Sequence, residues 1–175
     1  MSIRSVVTVF AVSFFFSCNP PLKSVVDPSL PNAPYKSLLF VMPFPTDDVE
    51  SIFWEIRAAM TELLKKENVN AEFLLIRQAK QGLKLNESDE LNSRISAIVT
   101  TGKKDVVFMF QPLELRYTNS RFSAGTFLIT GKDVKTESEI WKSQFLADMS
   151  SYYIGVGGKK TAIRILEKMK ADKLF

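Results

Sequence analysis

The sequence predicts an α/β fold: one layered domain in the order β-α-β-α-β-β-β-α, with helices packed on a mixed sheet that ends in an antiparallel meander. Three observations predict it. Short apolar runs of strand length alternate with two segments whose apolar residues recur at three- and four-residue steps. Beyond residue 105, three strand-like runs follow one another with turns between them, which is the pattern of a meander. Helical spacing then returns over 159–174.

KSLLFVMPF is a buried-strand run stopped by Pro43 and Pro45. In TDDVESIFWEIRAAMTELLKKEN, the residues Val49, Ile52, Phe53, Ile56, Met60, Leu63 and Leu64 share one helical face. Asp47 with Glu50 reads as a capping box, and Lys65 and Lys66 suit the negative end of the helix dipole. AEFLLIR (71–77) is the second strand. SDELNSRISAIVTTG is the second helix, with Ser88 as its cap, Leu91, Ile95, Ile98 and Val99 as its stripe, and Gly102 as its end. DVVFMFQ (105–111) is a strand that can continue past a bulge at Pro112 into LELRY. RFSAGTFLITG (121–131) and SEIWKSQFLA (138–147) flank the polar turn KDVKTE as a hairpin. In the last helix, Ala162, Ile163, Leu166 and Met169 are expected on one side.

What precedes this domain is of another kind. MSIRSVVTVFAVSFFFSC has one positive charge, an apolar run from Val6 to Phe16, and the small residue Ser17. That is the plan of a secretory signal, and the run falls short of the roughly 20 residues a spanning helix needs. Residues 19–36 hold five of the eight prolines, which favours an extended spacer. The expected organisation is therefore a signal peptide at 1–17, Cys18 with a Pro-rich tether through 36, and a single domain over 37–175.

Composition removes several function classes. A formal charge of +4 is too mild for the dense basic stripe of a nucleic-acid binder. There is no histidine and a single cysteine, so Ser–His and Cys–His nucleophile pairs, imidazole proton shuttles, His-containing zinc sites and an intrachain disulfide are all excluded. No cofactor and no metal site is expected.

The small residue before Cys18 resembles the lipobox of bacterial lipoproteins. Phe15 and Phe16 depart from that family's usual leucine and small residue. The resemblance implies a thiol acylated at Cys18, cleavage just before it, and a domain lipid-anchored in the cell envelope; Asn19 leans towards the outer membrane, facing the periplasm. Over 36–173, Leu39 to Phe44, Asp105 to Phe110 and Ile140–Trp141 occupy places similar to those in lipoprotein activators of penicillin-binding proteins, the curli-secretion lipoprotein and the amino-terminal domain of the Tol-system propeller protein. That architecture implies a shared scaffold more than a shared catalytic centre.

Other motifs are weaker. YYIGVGGKKT misses the phosphate-loop spacing, since Tyr153 stands where a glycine is required and Lys160 separates Lys159 from Thr161. A flexible loop feeding the last helix is the plainer reading. Asp47, Asp48 and Glu50 are explained by helix capping without a cation. Trp54, Trp141, Tyr152 and Tyr153 are candidate anchors for a partner surface, with core packing as the alternative. Arg116, Arg121, Lys132 and Lys142 are candidates for one solvated face of the meander. The expected function is a non-enzymatic binding or assembly accessory that holds the bilayer through Cys18 and docks another envelope protein, with no nucleic acid. A small-ligand or lipid-binding module and a cell-wall-acting enzyme remain as alternatives.

Overall fold

A computed structural model describes residues 22–28, 30, 34–78, 87–148 and 154–175, giving the backbone alone at 87, 88, 148 and 154–156. Its elements are β1 (Lys23–Val26), β2 (Ser37–Phe44), α1 (Asp47–Lys66), β3 (Asn70–Arg77), α2 (Glu87–Gly102), β4 (Val106–Thr118), β5 (Arg121–Asp133), β6 (Glu139–Asp148) and α3 (Ile154–Ala171). The six strands form one mixed sheet in the order β1-β6-β5-β4-β2-β3.

β2 is parallel to both β3 and β4, while β4, β5, β6 and β1 pair antiparallel in turn. The chain steps outward from β2 to β3 and then back past β2 to β4. Right-handed crossovers in opposite directions place their helices on opposite faces. The packing agrees. α1 and α3 cover an inner face built on Phe40, Phe108, Phe110, Phe127 and Phe145. α2 lays Leu91, Ile95, Ile98 and Val99 on the outer face, against Leu39, Val41 and Leu74.

The inner core is aromatic. Phe40 stacks on Phe73 and Phe108 at 5.0 and 5.1 Å, and Phe127 stacks on Phe145 at 5.2 Å. Phe53 of α1 bridges to Phe110 and Phe127 at 5.9 and 5.4 Å. Offset and edge-on rings add attraction beyond their buried area. The expected stripe of α1 is buried as Val49, Ile52, Phe53, Ile56, Met60 and Leu64, joined by Ala59.

Three local expectations are corrected. Lys23–Val26, assigned to the tether, is an edge strand in which Val26 sits opposite Trp141. The N-cap of α1 is Thr46, without a side-chain cap bond, so Asp47 and Glu50 belong to the first turn and form no capping box. In α3 the buried residue is Ile165 and not Ile163. α2 does end at Gly102, and the left-handed residue that follows it is Lys103, at φ 45°. The bulge at Pro112 is present as a register shift between Pro112 and Glu114. The β4–β5 turn, Asn119–Ser120, has φ of 50° and 62°, the left-handed pair whose twist suits a two-residue hairpin.

Candidate functional site

In open α/β sheets, ligands settle beyond the carboxyl ends of strands whose following helices lie on opposite faces. Here that point lies past Phe44 and Arg77. The free N–H groups of α1 face it, yet they already have company. Asp47 pairs with Arg77, whose guanidinium lies 5.9 Å from the Phe44 ring. Asp48 accepts the Phe122 N–H at 3.1 Å, and Glu50 accepts the Trp54 Nε1–H at 3.3 Å. The chain's own carboxylates supply the negative charge that the helix end attracts, so an incoming anion would meet like charge. Among the described residues, no three of the metal-ligating types stand together in a way that could hold a cation.

A cleft of about 590 Å³ opens at the opposite end of the sheet, lined by Tyr35, Lys104, Asp105, Asp133, Lys135 and Thr136 among others. Its volume is that of a ligand site. Its chemistry is that of a fastening. Lys104 is buried and pairs with Glu72 at 3.1 Å. Asp105 accepts the backbone N–H groups of Lys36 and Ser37 at 2.9 and 2.8 Å. Asp133 accepts the Tyr35 hydroxyl at 2.9 Å and both the N–H and the hydroxyl of Thr136 at 2.8 and 3.1 Å, which ties down the β5–β6 turn.

Burial pushes the Asp133 carboxyl up, but the Thr136 N–H, the Tyr35 hydroxyl and the Thr136 hydroxyl outweigh it and hold the pKa below the usual aspartate value. Burial, then the Asp133 charge and hydrogen bond, drive the Tyr35 phenol upward. Both groups move away from neutrality, whereas a proton-transfer catalyst works best with a pKa near the operating pH.

The glycine-rich segment is helix and not loop: from Ile154 on, its residues belong to α3. Gly158 lies where α3 meets α1, and its N–H reaches Glu55 Oε2 at 3.3 Å. Burial raises the Glu55 carboxyl, and the Gly158 N–H opposes this. The glycine lets two helices approach; it cradles no phosphate.

Of the candidate anchors, Trp54 stands 49% exposed on α1 with Arg57 stacked 4.5 Å from its ring centre. Trp141 is corrected from a partner anchor to a core residue. It is 2% exposed, packs on Phe108 at 5.9 Å, and donates its Nε1–H to Asp172 at 2.7 Å. Cys18, Tyr152 and Tyr153 lie outside the described residues. Arg116, Lys132 and Lys142 do share the outer face by strand register, opposite Ala124, Val107 and Thr130.

Sequence reasoning missed the exposed apolar residues: Val25 at 73%, Leu113 at 51%, Leu146 at 45% and Tyr117 at 44%. A signal was present. In SEIWKSQFLA, Trp141, Ser143, Phe145 and Ala147 alternate with Lys142, Gln144 and Leu146, and the buried set is the first. α2 covers the outer face over β2, β3 and β4, whereas Lys142, Gln144 and Leu146 of β6 and Val25 of β1 are exposed.

No protein-family model matches the chain, and no curated protein matches it in sequence. Solved structures share its fold. A PelC dodecamer from Paraburkholderia phytofirmans superposes with a TM-score of 0.51 at 11% identity, over 83% of this chain and 96% of that one. A lipoprotein from Neisseria meningitidis gives a TM-score of 0.43 at 14% identity, over 77% of this chain and 99% of that one. At such identities the likeness is one of fold, and the first of the two carries it.

Proposed function

We infer that this is a lipid-anchored lipoprotein of the bacterial envelope, acylated at Cys18, whose α/β domain is a non-enzymatic binding or assembly accessory. The outer membrane, facing the periplasm, is the location this reading favours. The observation that carries the accessory role is the sheet face beside β1 and β6. There Val25 stands exposed among Lys142, Gln144 and Lys23, on a domain whose inner layer is otherwise packed. A mixed apolar and basic surface of this kind suits a protein partner, with Trp54 and its stacked Arg57 as a second contact, since aromatic and arginine side chains concentrate binding energy.

The resemblance to activators of penicillin-binding proteins and related lipoproteins supports the same reading, because those share a scaffold more than a catalytic centre. The similar fold of the PelC dodecamer makes further copies of this chain a candidate for the same face. The polar cleft is where the small-ligand alternative would act, although its Lys104 is engaged by Glu72 and its Asp105 and Asp133 by N–H groups and hydroxyls of the fold.

Two measurements test this. Wild-type cells grown with radioactive palmitate should label the protein, and the Cys18→Ala variant should not; an unlabelled wild type ends the anchor reading. In affinity capture of the tagged protein, Trp54→Ala and Lys142→Glu should weaken recovery of a partner by roughly tenfold or more, the effect of losing one to two kcal/mol at a contact centre, with an unchanged melting temperature. Undiminished capture by both variants moves the partner to another surface.

A further inference from the structure

We propose that the domain sits on the bilayer with its β4–β5 hairpin end against the lipid, so that Leu113, Tyr117 and Leu146 enter the interface beside the acylated Cys18. The proposal rests on the anchor reading above and adds an orientation to it.

The first argument is the direction of β1. Lys23 pairs with Gln144 and Val26 with Trp141, so the chain before Lys23 runs towards the end where β6 finishes and the β4–β5 turn lies. Cys18 is four residues before Leu22, and an extended chain covers at most about 3.6 Å per residue, so the acylated sulfur lies within about 14 Å of Leu22. Lys23 is level with Gln144 and Leu128, so Asp133 at the cleft end stands five residues, or about 17 Å of strand, behind the point where the chain leaves. The leash runs away from the cleft end and towards the hairpin.

The second argument is independent: exposed apolar side chains gather at that same end. Leu146 is level with Thr126 and Glu114 across three strands. The bulge leaves Leu113 without a cross-strand partner, turned out to 51% exposure. Tyr117 stands beside the turn, 6.0 Å from Phe122. Two leucines and a tyrosine with exposed Arg121 nearby match the interface region, where amphipathic rings sit at headgroup level and a guanidinium meets phosphates.

Among the described side chains, three carboxylates at this end are not bare. Asp47 pairs with Arg77, Asp48 accepts the Phe122 N–H, and Glu114 pairs with Arg116 at 2.9 Å. Like-charge repulsion with anionic lipid is correspondingly reduced.

Acylation consumes the single cysteine, so one introduced cysteine carries a spin label without competition. The acylated full chain bearing Leu113→Cys, Leu146→Cys, Lys135→Cys or Lys170→Cys would be reconstituted in phosphatidylethanolamine–phosphatidylglycerol vesicles. All four sites are at the surface, and melting curves confirm folding. At 113 and 146, collisions with oxygen should exceed those with a water-soluble nickel chelate; at 135 and 170 the order should reverse. Labels at 113 and 146 that read as water on protein that floats with vesicles overturn the orientation and leave the anchor standing. Protein that takes up no palmitate and does not float overturns both. Spin–spin broadening at 113 or 146 in detergent, without vesicles, assigns this end to a second copy and overturns the lipid contact.

Discussion

Asp172 is one carboxylate that joins three elements. Its Oδ2 accepts the Ser24 hydroxyl of β1 at 2.6 Å and the Trp141 indole N–H of β6 at 2.7 Å, while Oδ1 takes Lys168 of α3 at 2.6 Å. Burial pushes this carboxyl up, yet the bonds from Lys168, Ser24 and Trp141 and the Lys168 charge outweigh it, so its pKa lies below the ordinary 3.8. A folded pKa below the unfolded one means stability that is present above the ordinary value and lost as pH falls through the folded one. Asp172→Asn should therefore cost about 1–3 kcal/mol at neutral pH, the usual cost of spoiling a buried, charge-assisted set of hydrogen bonds. In acid denaturation the gap between wild type and variant should narrow as pH drops below the aspartate range. A gap that is constant with pH would mean the charge contributes nothing. Sequence could offer Trp141 as surface or core; what decides it is the indole N–H finding a carboxylate 31 residues away, and no local pattern reveals that.

At the scale of elements, legibility followed periodicity. α1 was readable because its apolar residues repeat over 20 residues and its buried face matches them nearly one for one. The meander was readable from its turns and from alternation. β1 was not, since it has four residues in a Pro-rich stretch and its partner lies at 141–144. The start of α3 was hidden for a different reason: glycines lower helix propensity, and tertiary packing overrode it. Gly158 shows why. A Cβ there would fall 2.4 Å from Glu55 Cβ, an atom held by the α1 backbone. Gly→Ala in a helix interior ordinarily gains up to about 1 kcal/mol. Here overpacking, at about 1–3 kcal/mol, should win, and Gly158→Ala should lower the denaturation midpoint. A raised midpoint would mean that α3 slides away from α1 at little cost.

Across the whole molecule, the two ends of the sheet differ in kind. One holds a cleft whose Lys104, Asp105 and Asp133 are satisfied within the fold; the other carries exposed Leu113, Tyr117 and Leu146 and the chain that leads towards Cys18. The fold class was legible because the order of elements allows few topologies once crossovers are right-handed. The candidate surface was not, because exposure on a half-covered sheet depends on where α2 stops, which no residue of β5 or β6 records. Held to the sheet by its pairs to β6, β1 is a separable part. Val26→Asp puts a carboxylate against the inner layer, which Val26 joins from the edge. Trypsin should then cut after Lys23 while the rest stays folded; resistance equal to wild type would show that β1 is held by its backbone bonds alone.

That edge strand also sets a length. With β1 docked, the chain from Cys18 to the sheet is a leash of about 14 Å. Peeled from β6, it runs free to Tyr35, 17 residues on, where Asp133 and Leu174 hold it, and reaches about 60 Å. The four paired residues of β1 thus act as a clasp on a retracted cord. A pull along the chain loads their hydrogen bonds side by side, because β1 runs antiparallel to β6, and a single release would more than quadruple the height at which the domain can work.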